Sequence, residues 1–269
     1  MSDIGYSRYV AIGDSQTEGL WDGDDGVGLV GFADRLAALI DSHYPGLKYA
    51  NLAVRGRRVG DVLTDQLPRA LSLQPDLVTV CVGMNDVTRP GRSFNRTLAD
   101  LEGIYARLAQ SGATVVTTTF PDVADILPVG GLFAPRILRI NRVIRTACDR
   151  HGFRLVDLYS AASMKEPDTW SADRMHGSTK GHVLFASAAA EALGLPFSNH
   201  DWAHASPGAG QPSFGSRAYA QLRWTQCFLL PWIWRHLVGR SSGDGCLPKR
   251  ALLESLTTRH ETGTEGAIR

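Results

Sequence analysis

Short apolar segments alternate with longer segments in which apolar residues recur every three or four positions. Five of the short segments have the length of buried strands, and each precedes a segment with helical spacing. The predicted strands are residues 8–13, 49–54, 76–83, 113–120 and 153–158. The predicted helices are residues 31–44, 59–71, 93–112, 134–152 and 178–193, and in the first of them Phe32, Leu36, Leu39 and Ile40 share one face. Five such repeats predict an α/β fold in which helices cover both faces of one parallel sheet.

Polar, glycine-containing motifs follow the first three predicted strands. GDS follows the first strand, RG follows the second and GMND follows the third. Because ligands bind at the carboxyl ends of the strands in such sheets, these motifs are expected to meet at one site.

The alternating pattern ends near residue 196, which divides the chain into a predicted domain, residues 1–196, and a C-terminal extension, residues 197–269. The extension begins with a linker of small residues. Residues 240–269 are polar, and we expect their end to be poorly ordered. Between them, residues 217–239 are rich in tryptophan and are a candidate contact surface for a protein partner or a membrane. The residues of interest there are Arg223, Trp224, Trp232, Trp234 and Arg235. The alternative is that this stretch packs back on the domain as a helical extension.

Composition narrows the possible partners and compartments. Hydrophobic residues make up 43% of the chain and the formal net charge is +1, so nucleic acid is not an expected partner. The four cysteines are isolated, without the spacing of a zinc site or a disulfide framework. We expect no metal and no cofactor. The first residues lack the pattern of a signal peptide, and no apolar stretch is long enough to span a membrane. These features predict a cytoplasmic protein.

Ser15 lies in the stretch AIGDSQTEG, between the first predicted strand and a turn of helix. A serine at such a junction commonly caps the helix through its hydroxyl. The same position suits a nucleophile, because the helix N-terminus favours developing negative charge.

A serine nucleophile needs a base, a group that orients the base, and donors for the oxyanion. His176 follows Asp173 by three residues, a spacing that can place the carboxylate against Nδ1 and leave Nε2 facing Ser15. The alternative is that Asp173 caps a turn and His176 is an exposed loop residue. The candidate oxyanion donors are the Ser15 N–H, the Gly56 N–H and the Asn85 amide, although Gly56 and Asn85 are equally typical of simple turns.

Taken in order, four blocks resemble those of the SGNH hydrolases, the superfamily of GDSL-like esterases and lipases. The blocks are GDS (13–15), NLAVRG (51–56), GMND (83–86) and DRMH (173–176), and the resemblance spans residues 8–193. It implies a three-layer α/β/α sandwich around a five-stranded parallel sheet, of the flavodoxin-like kind. It also implies Ser15 as nucleophile and His176 as base, with Asp173 orienting the base. Ser15, Gly56 and Asn85 would form the oxyanion hole.

Residues beside these blocks are expected to have structural roles. Gln16 stands where the family name has leucine, and we expect it to affect only local packing. Asp14 and Asp86 are expected to brace their loops. His182 lies on the last predicted helix and is expected to be packed or solvated.

Two other motifs partly match known functional sites. GRSSG (239–243) matches the nucleophile elbow of α/β-hydrolases, but it lacks a preceding strand, and only His260 follows it. The acidic run WDGDDGVG (21–28) lacks the glutamate that closes a calcium-binding loop, and we interpret it as a loop near the active site.

The sequence thus predicts a metal-independent serine hydrolase of a carboxylic ester or thioester. Loops without an evident lid favour a small acyl ester with a short chain as substrate. The alternative is a non-catalytic scaffold on the same fold, whose tryptophan-rich tail docks a partner.

Overall fold

The computed structural model describes residues 5–24, 28–89, 93–127, 130–206, 222–231 and 243–256. Its main sheet has six strands. They are β1 (Arg8–Gly13), β2 (Lys48–Asn51), β3 (Leu77–Cys81), β4 (Thr114–Thr118), β5 (Arg154–Val156) and β6 (Arg250–Ser255). Their order across the sheet is β5-β4-β3-β1-β2-β6. The first five are parallel, and only β6 runs antiparallel to its neighbour. A separate ribbon pairs Gly23–Asp24 with Gly28–Leu29.

Helices follow the strands as the periodicity predicted, within three residues at each end. They are α1 (Ser15–Glu18), α2 (Phe32–His43), α3 (Val59–Asp61, Val62–Gln66 and Leu67–Ser72 in continuity), α4 (Met84–Thr88), α5 (Phe94–Ala109), α6 (Ala134–His151) and α7 (Thr179–Leu193). Short 3₁₀ turns occupy Val123–Asp125, Gly130–Leu132, Ala162–Lys165, Pro167–Thr169 and Asp201–Ala203. Residues 222–231 form a further helical segment, which we call the C-terminal helix.

The strand order explains where a site can form. The chain moves from β1 to β2 in one direction, and then crosses β1 to build β3, β4 and β5 in the other. Since parallel crossovers are right-handed, this reversal places α2 on one face and α3, α5 and α6 on the other. Helix α7 packs against α2, whereas α5 packs against α3 and α6. The reversal opens a crevice between the carboxyl ends of β1 and β3, where this type of sheet binds its ligands.

Burial of both sheet faces accounts for the continuous apolar runs. All five residues of β3 are buried, and so are five of the six in β1. Helix α2 buries Phe32, Leu36 and Ile40, but Leu39 is 38% exposed. Leu39 therefore lies at the edge of the apolar face rather than within it, which corrects the predicted set.

The sixth strand was not predicted. Residues 250–255 lie in the segment expected to be polar and without sheet structure, yet they pair with β2 along the sheet edge. Two basic residues help to fix this segment at the edge of the sheet. Arg250 is buried with its guanidinium 5.5 Å from the centre of the Tyr49 ring, and Lys249 forms an ion pair with Asp34 at 2.5 Å. The parallel part of the sheet matches the prediction, and the strand count is six rather than five.

Among the described residues, every helix is too short or too polar to cross a membrane.

Candidate active site

Ser15 lies at the crevice because it follows the carboxyl end of β1 by two residues. At that end the backbones of β1 and β3 approach each other closely. Strand β1 ends at Gly13, whose φ is 154°, and a Cβ at this position would lie 2.2 Å from the Cys81 carbonyl oxygen. Only glycine fits such an approach. Asp14 then caps α1 by accepting the Gln16 N–H at 3.2 Å, so the capping role considered for Ser15 belongs to its neighbour. The Ser15 hydroxyl is left for other partners.

Two buried amides that the sequence analysis missed hold this junction in place. Gln66 accepts the Gly13 N–H and donates to the Gly13 carbonyl, both at 2.8 Å. Asn51 donates to the Thr17 carbonyl at 2.8 Å and so anchors α1 from the end of β2. For Asn51, the available signal was a polar residue inside an otherwise apolar predicted strand, whereas Gln66 lies among other polar residues of its predicted helix and gave no such signal.

The structure brings Ser15, His176 and Asp173 into one hydrogen-bonded chain. The Ser15 Oγ lies 2.8 Å from His176 Nε2, and His176 Nδ1 lies 2.7 Å from Asp173 Oδ2. An ionised carboxylate only accepts hydrogen bonds, so Nδ1 carries the ring proton and Nε2 is the acceptor for the serine hydroxyl. This arrangement leaves the imidazole able to take the hydroxyl proton.

The Asp173 carboxylate is strongly held in its charged form. Burial opposes the charge, but the hydrogen bond and charge of His176, together with the Met175 N–H and the Ser171 hydroxyl, hold its pKa well below the usual range. Trp21 adds an indole N–H that donates to Oδ2 at 2.8 Å. Trp21 was not singled out from the sequence, since its proximity depends on how its loop folds back over the site.

The turn that carries Asp173 and His176 is tied to the serine helix. The Ser171 N–H donates to the His176 carbonyl at 2.8 Å, and Arg174 adopts a φ of 60° between them. The Gly177 N–H donates to Gln16 Oε1 at 3.2 Å. Gln16 therefore does more than fill local space, because it links α1 to the histidine turn.

The three candidate oxyanion donors flank Ser15, but they are not equally available. Among the described residues, none accepts from the Ser15 or the Gly56 N–H, and Gly56 has a φ of 78°. The Asn85 amide donates to the Arg57 carbonyl at 3.1 Å and to Asp14 Oδ2 at 3.3 Å. A substrate carbonyl would therefore have to share or replace the longer of these contacts.

The two aspartates beside the motifs brace their surroundings. Asp86 accepts the Val59 N–H at 3.0 Å and the Thr97 hydroxyl at 3.2 Å, and burial raises its pKa. Burial also raises the pKa of Asp14, to about 6.

His182 is fully buried, and burial lowers its pKa to about 4, so it is neutral and packed between α2 and the Leu20 carbonyl.

A cavity of about 420 Å³ opens onto these groups. The end of the cavity that holds Ser15, Asn85 and His176 is polar, and most of the remaining wall is apolar. The C-terminal helix contributes Trp224, Cys227 and Phe228 to that wall. This covering element differs from the expectation of a site built from loops alone.

The tryptophan-rich stretch is only partly described. Trp224 is 5% exposed and packs on the histidine turn, so its ring is not available to a membrane or a protein partner. Arg223 is exposed. Trp232, Trp234 and Arg235 lie outside the described residues, so the proposed contact surface within residues 217–239 remains a prediction.

The described residues add no support for a nucleophile elbow at GRSSG or for a calcium-binding loop at residues 21–28. Of GRSSG only Gly243 is described, and His260 lies outside the described residues. In the acidic run, Asp22 forms an ion pair with Arg35 at 2.9 Å. The part of the chain that the structure describes contains no cluster of three or more His, Cys, Asp or Glu side chains suited to a metal ion.

Comparison with known proteins places this geometry in context. A model of the GDSL-like lipase/acylhydrolase family matches residues 11–184. Among curated proteins, none has a significantly similar sequence. An α/β hydrolase enzyme from the metagenome of Lake Arreo, Spain, is 24% identical over 70% of this chain and 95% of its own, with a TM-score of 0.59. A catalytic mutant of an acetylxylan esterase from Geobacillus stearothermophilus is 20% identical over 73% of this chain and 98% of its own, with a TM-score of 0.62. At these identities the likeness concerns the fold.

Proposed function

The chain belongs to the GDSL-like lipase/acylhydrolase family, as its four sequence blocks predicted, and we propose that it hydrolyses a carboxylic ester through an acyl-enzyme on Ser15. The observation that carries this proposal is the unbroken chain from Ser15 Oγ through His176 to Asp173, with contacts of 2.8 and 2.7 Å. The esterase named among the structural neighbours supports ester chemistry on this fold.

In the first half of the reaction, His176 Nε2 takes the Ser15 proton as Oγ attacks the acyl carbonyl carbon. The ring becomes an imidazolium, which the ionised Asp173 stabilises through Nδ1. The N–H groups of Ser15 and Gly56 and the Asn85 amide donate to the oxyanion. Such donors are effective because they are oriented before the charge develops. His176 then protonates the departing alcohol oxygen.

In the second half, water replaces the alcohol and loses a proton to His176 as its oxygen attacks the acyl-enzyme carbonyl. The second tetrahedral species uses the same donors and collapses when His176 returns the proton to Ser15 Oγ. The products are a carboxylic acid and free enzyme. In this scheme the protein's own side chains supply every proton transfer.

Turnover of p-nitrophenyl esters by Ser15→Ala tests the proposal. We expect loss of essentially all activity, with Ser42→Ala as the matched control, since Ser42 is an exposed serine on α2 and lies outside the cavity lining. Circular dichroism of both variants checks that they fold. Undiminished turnover by folded Ser15→Ala would remove Ser15 from the mechanism.

A further inference from the structure

The cavity is much larger than an acetyl group requires. Its volume of about 420 Å³ equals that of roughly 14 water molecules at ~30 Å³ each. An acetyl ester places a single methyl group beyond its carbonyl carbon. Most of the space would then hold water against an apolar wall, which is unfavourable.

The apolar wall has two sides that come from distant parts of the chain. One side follows β4 and includes Phe120, Val123 and Leu127, each 6% exposed. The other side is the C-terminal helix, with Trp224 and Phe228. Phe228 is half-buried, so part of its ring remains available to a bound chain.

The C-terminal helix is anchored on the residues that orient the histidine. The Trp224 indole N–H donates to the Asp173 carbonyl at 3.0 Å, and the Arg174 guanidinium lies 5.3 Å from the centre of the Trp224 ring. The Phe228 ring meets Trp21 edge-on, with centres 6.2 Å apart. Trp21 in turn donates to the Asp173 carboxylate. These contacts place the helix beside the reacting groups as a built part of the site.

We propose that the C-terminal helix is one wall of an acyl-chain pocket, and that Phe228 makes the enzyme prefer esters of medium-length apolar acids to acetate. This inference rests on the proposed function. It replaces the short-chain preference expected from the sequence, because that expectation assumed an uncovered site.

The acyl chain is the part of the ester assigned to the pocket for a mechanistic reason. The alcohol has to leave and water has to take its place between the two halves of the reaction. The acyl chain stays covalently attached to Ser15 through both. An apolar pocket that holds the acyl chain therefore stabilises the intermediate without hindering the exchange of alcohol for water.

The size of the preference follows from burial of methylene groups. Each methylene moved from water to an apolar wall contributes about 0.8 kcal/mol, or about fourfold in kcat/KM. We expect kcat/KM of p-nitrophenyl esters to rise by up to this factor per methylene from acetate to about octanoate, and then to level off.

The test measures the p-nitrophenyl series from acetate to dodecanoate for the full chain and three variants. Phe228→Ala should lower kcat/KM for octanoate about tenfold more than kcat/KM for acetate, since only the longer acyl chain is expected to reach the ring. Phe228→Trp should shift the preferred chain to a shorter length by filling part of the pocket. Leu222→Ala is the matched control, because Leu222 is 58% exposed on the same helix and lies outside the cavity lining.

Three results would overturn the inference. Acetate could be the best substrate of the full chain, or Phe228→Ala could lower all esters equally, which a purely structural helix would give. Octyl acetate, assayed beside the series, separates the two ends of the ester. If a long alcohol raised kcat/KM and a long acyl chain did not, the pocket would belong to the alcohol. Each of these can occur in an enzyme that still depends on Ser15, so failure here is distinct from failure of the proposed function.

Discussion

Replacing Asp173 by asparagine should abolish turnover by reversing the histidine tautomer. In the native site, Asp173 Oδ1 accepts from Ser171 Oγ and from the N–H groups of Met175 and His176, whereas Oδ2 accepts from Trp21 and His176 Nδ1. An asparagine has one acceptor oxygen, which we expect to face the three donors at the Oδ1 position. Its NH₂ group then faces His176 Nδ1, and that nitrogen has to accept. The ring proton moves to Nε2, which can no longer take the proton of Ser15.

The expected loss in kcat for Asp173→Asn is about 10⁴-fold, the effect that such a reversal has in a serine protease triad. Trp21→Phe is the matched control, because it removes one hydrogen bond from Oδ2 and leaves the tautomer unchanged. A hydrogen bond to a charged group is worth about 1.5–3 kcal/mol, so the control should lose far less activity than Asp173→Asn. Steady-state kinetics with a p-nitrophenyl ester gives both values, and urea unfolding shows whether each variant is folded. Equal losses in the two variants, or retention of more than about a tenth of kcat by folded Asp173→Asn, would refute the reasoning.

Four further predictions concern the surroundings of the triad. Asn85→Ala should lower kcat about 10²–10³-fold, as removal of an oxyanion donor does, and an unchanged kcat would exclude the amide from that role. Burial raises the pKa of Asp14 to about 6, so the folded state holds this proton more tightly than the unfolded chain does. The stability that this adds is fully present below the pKa of the unfolded chain and is lost as pH rises through 6. Wild type should therefore lose roughly 2 kcal/mol relative to Asp14→Asn between pH 4 and 7.5 in urea unfolding, whereas a pH-independent difference would contradict the raised pKa. Gln66→Leu leaves both polar groups of Gly13 unpaired and should cost about 2–4 kcal/mol in the same assay, and a cost below about 1 kcal/mol would argue against that pairing. Incubation with a chelator should leave the esterase rate unchanged, and loss of the rate would indicate a metal.

The parallel core was predictable because buried parallel strands produce continuous apolar runs, each followed by a helix of period 3.6. The carboxyl-end rule then indicated that residues after β1, β2 and β3 would meet. Strand β6 escaped prediction for a physical reason. It is an edge strand in a segment that is polar on the whole, and it pairs with β2 about 200 residues earlier in the chain.

Contacts made by tertiary folding could not be predicted in the same way. Trp21 reaches Asp173 across 152 positions, and Trp224 reaches its backbone across 51. Neither pairing leaves a periodic trace in the sequence. The helix cap also proved to be Asp14 rather than Ser15, one residue earlier than considered, since helix ends cannot be located that closely from a pattern.

Labelling with a fluorophosphonate tests the central claim most directly. Ser15 is the only serine of the tryptic peptide that spans residues 9–35, so mass spectrometry can assign the adduct without ambiguity. The account predicts one adduct per chain, on that peptide, with simultaneous loss of esterase activity and no labelling of Ser15→Ala. An adduct on the peptide that contains Ser241, or full activity after complete labelling of Ser15, would contradict it.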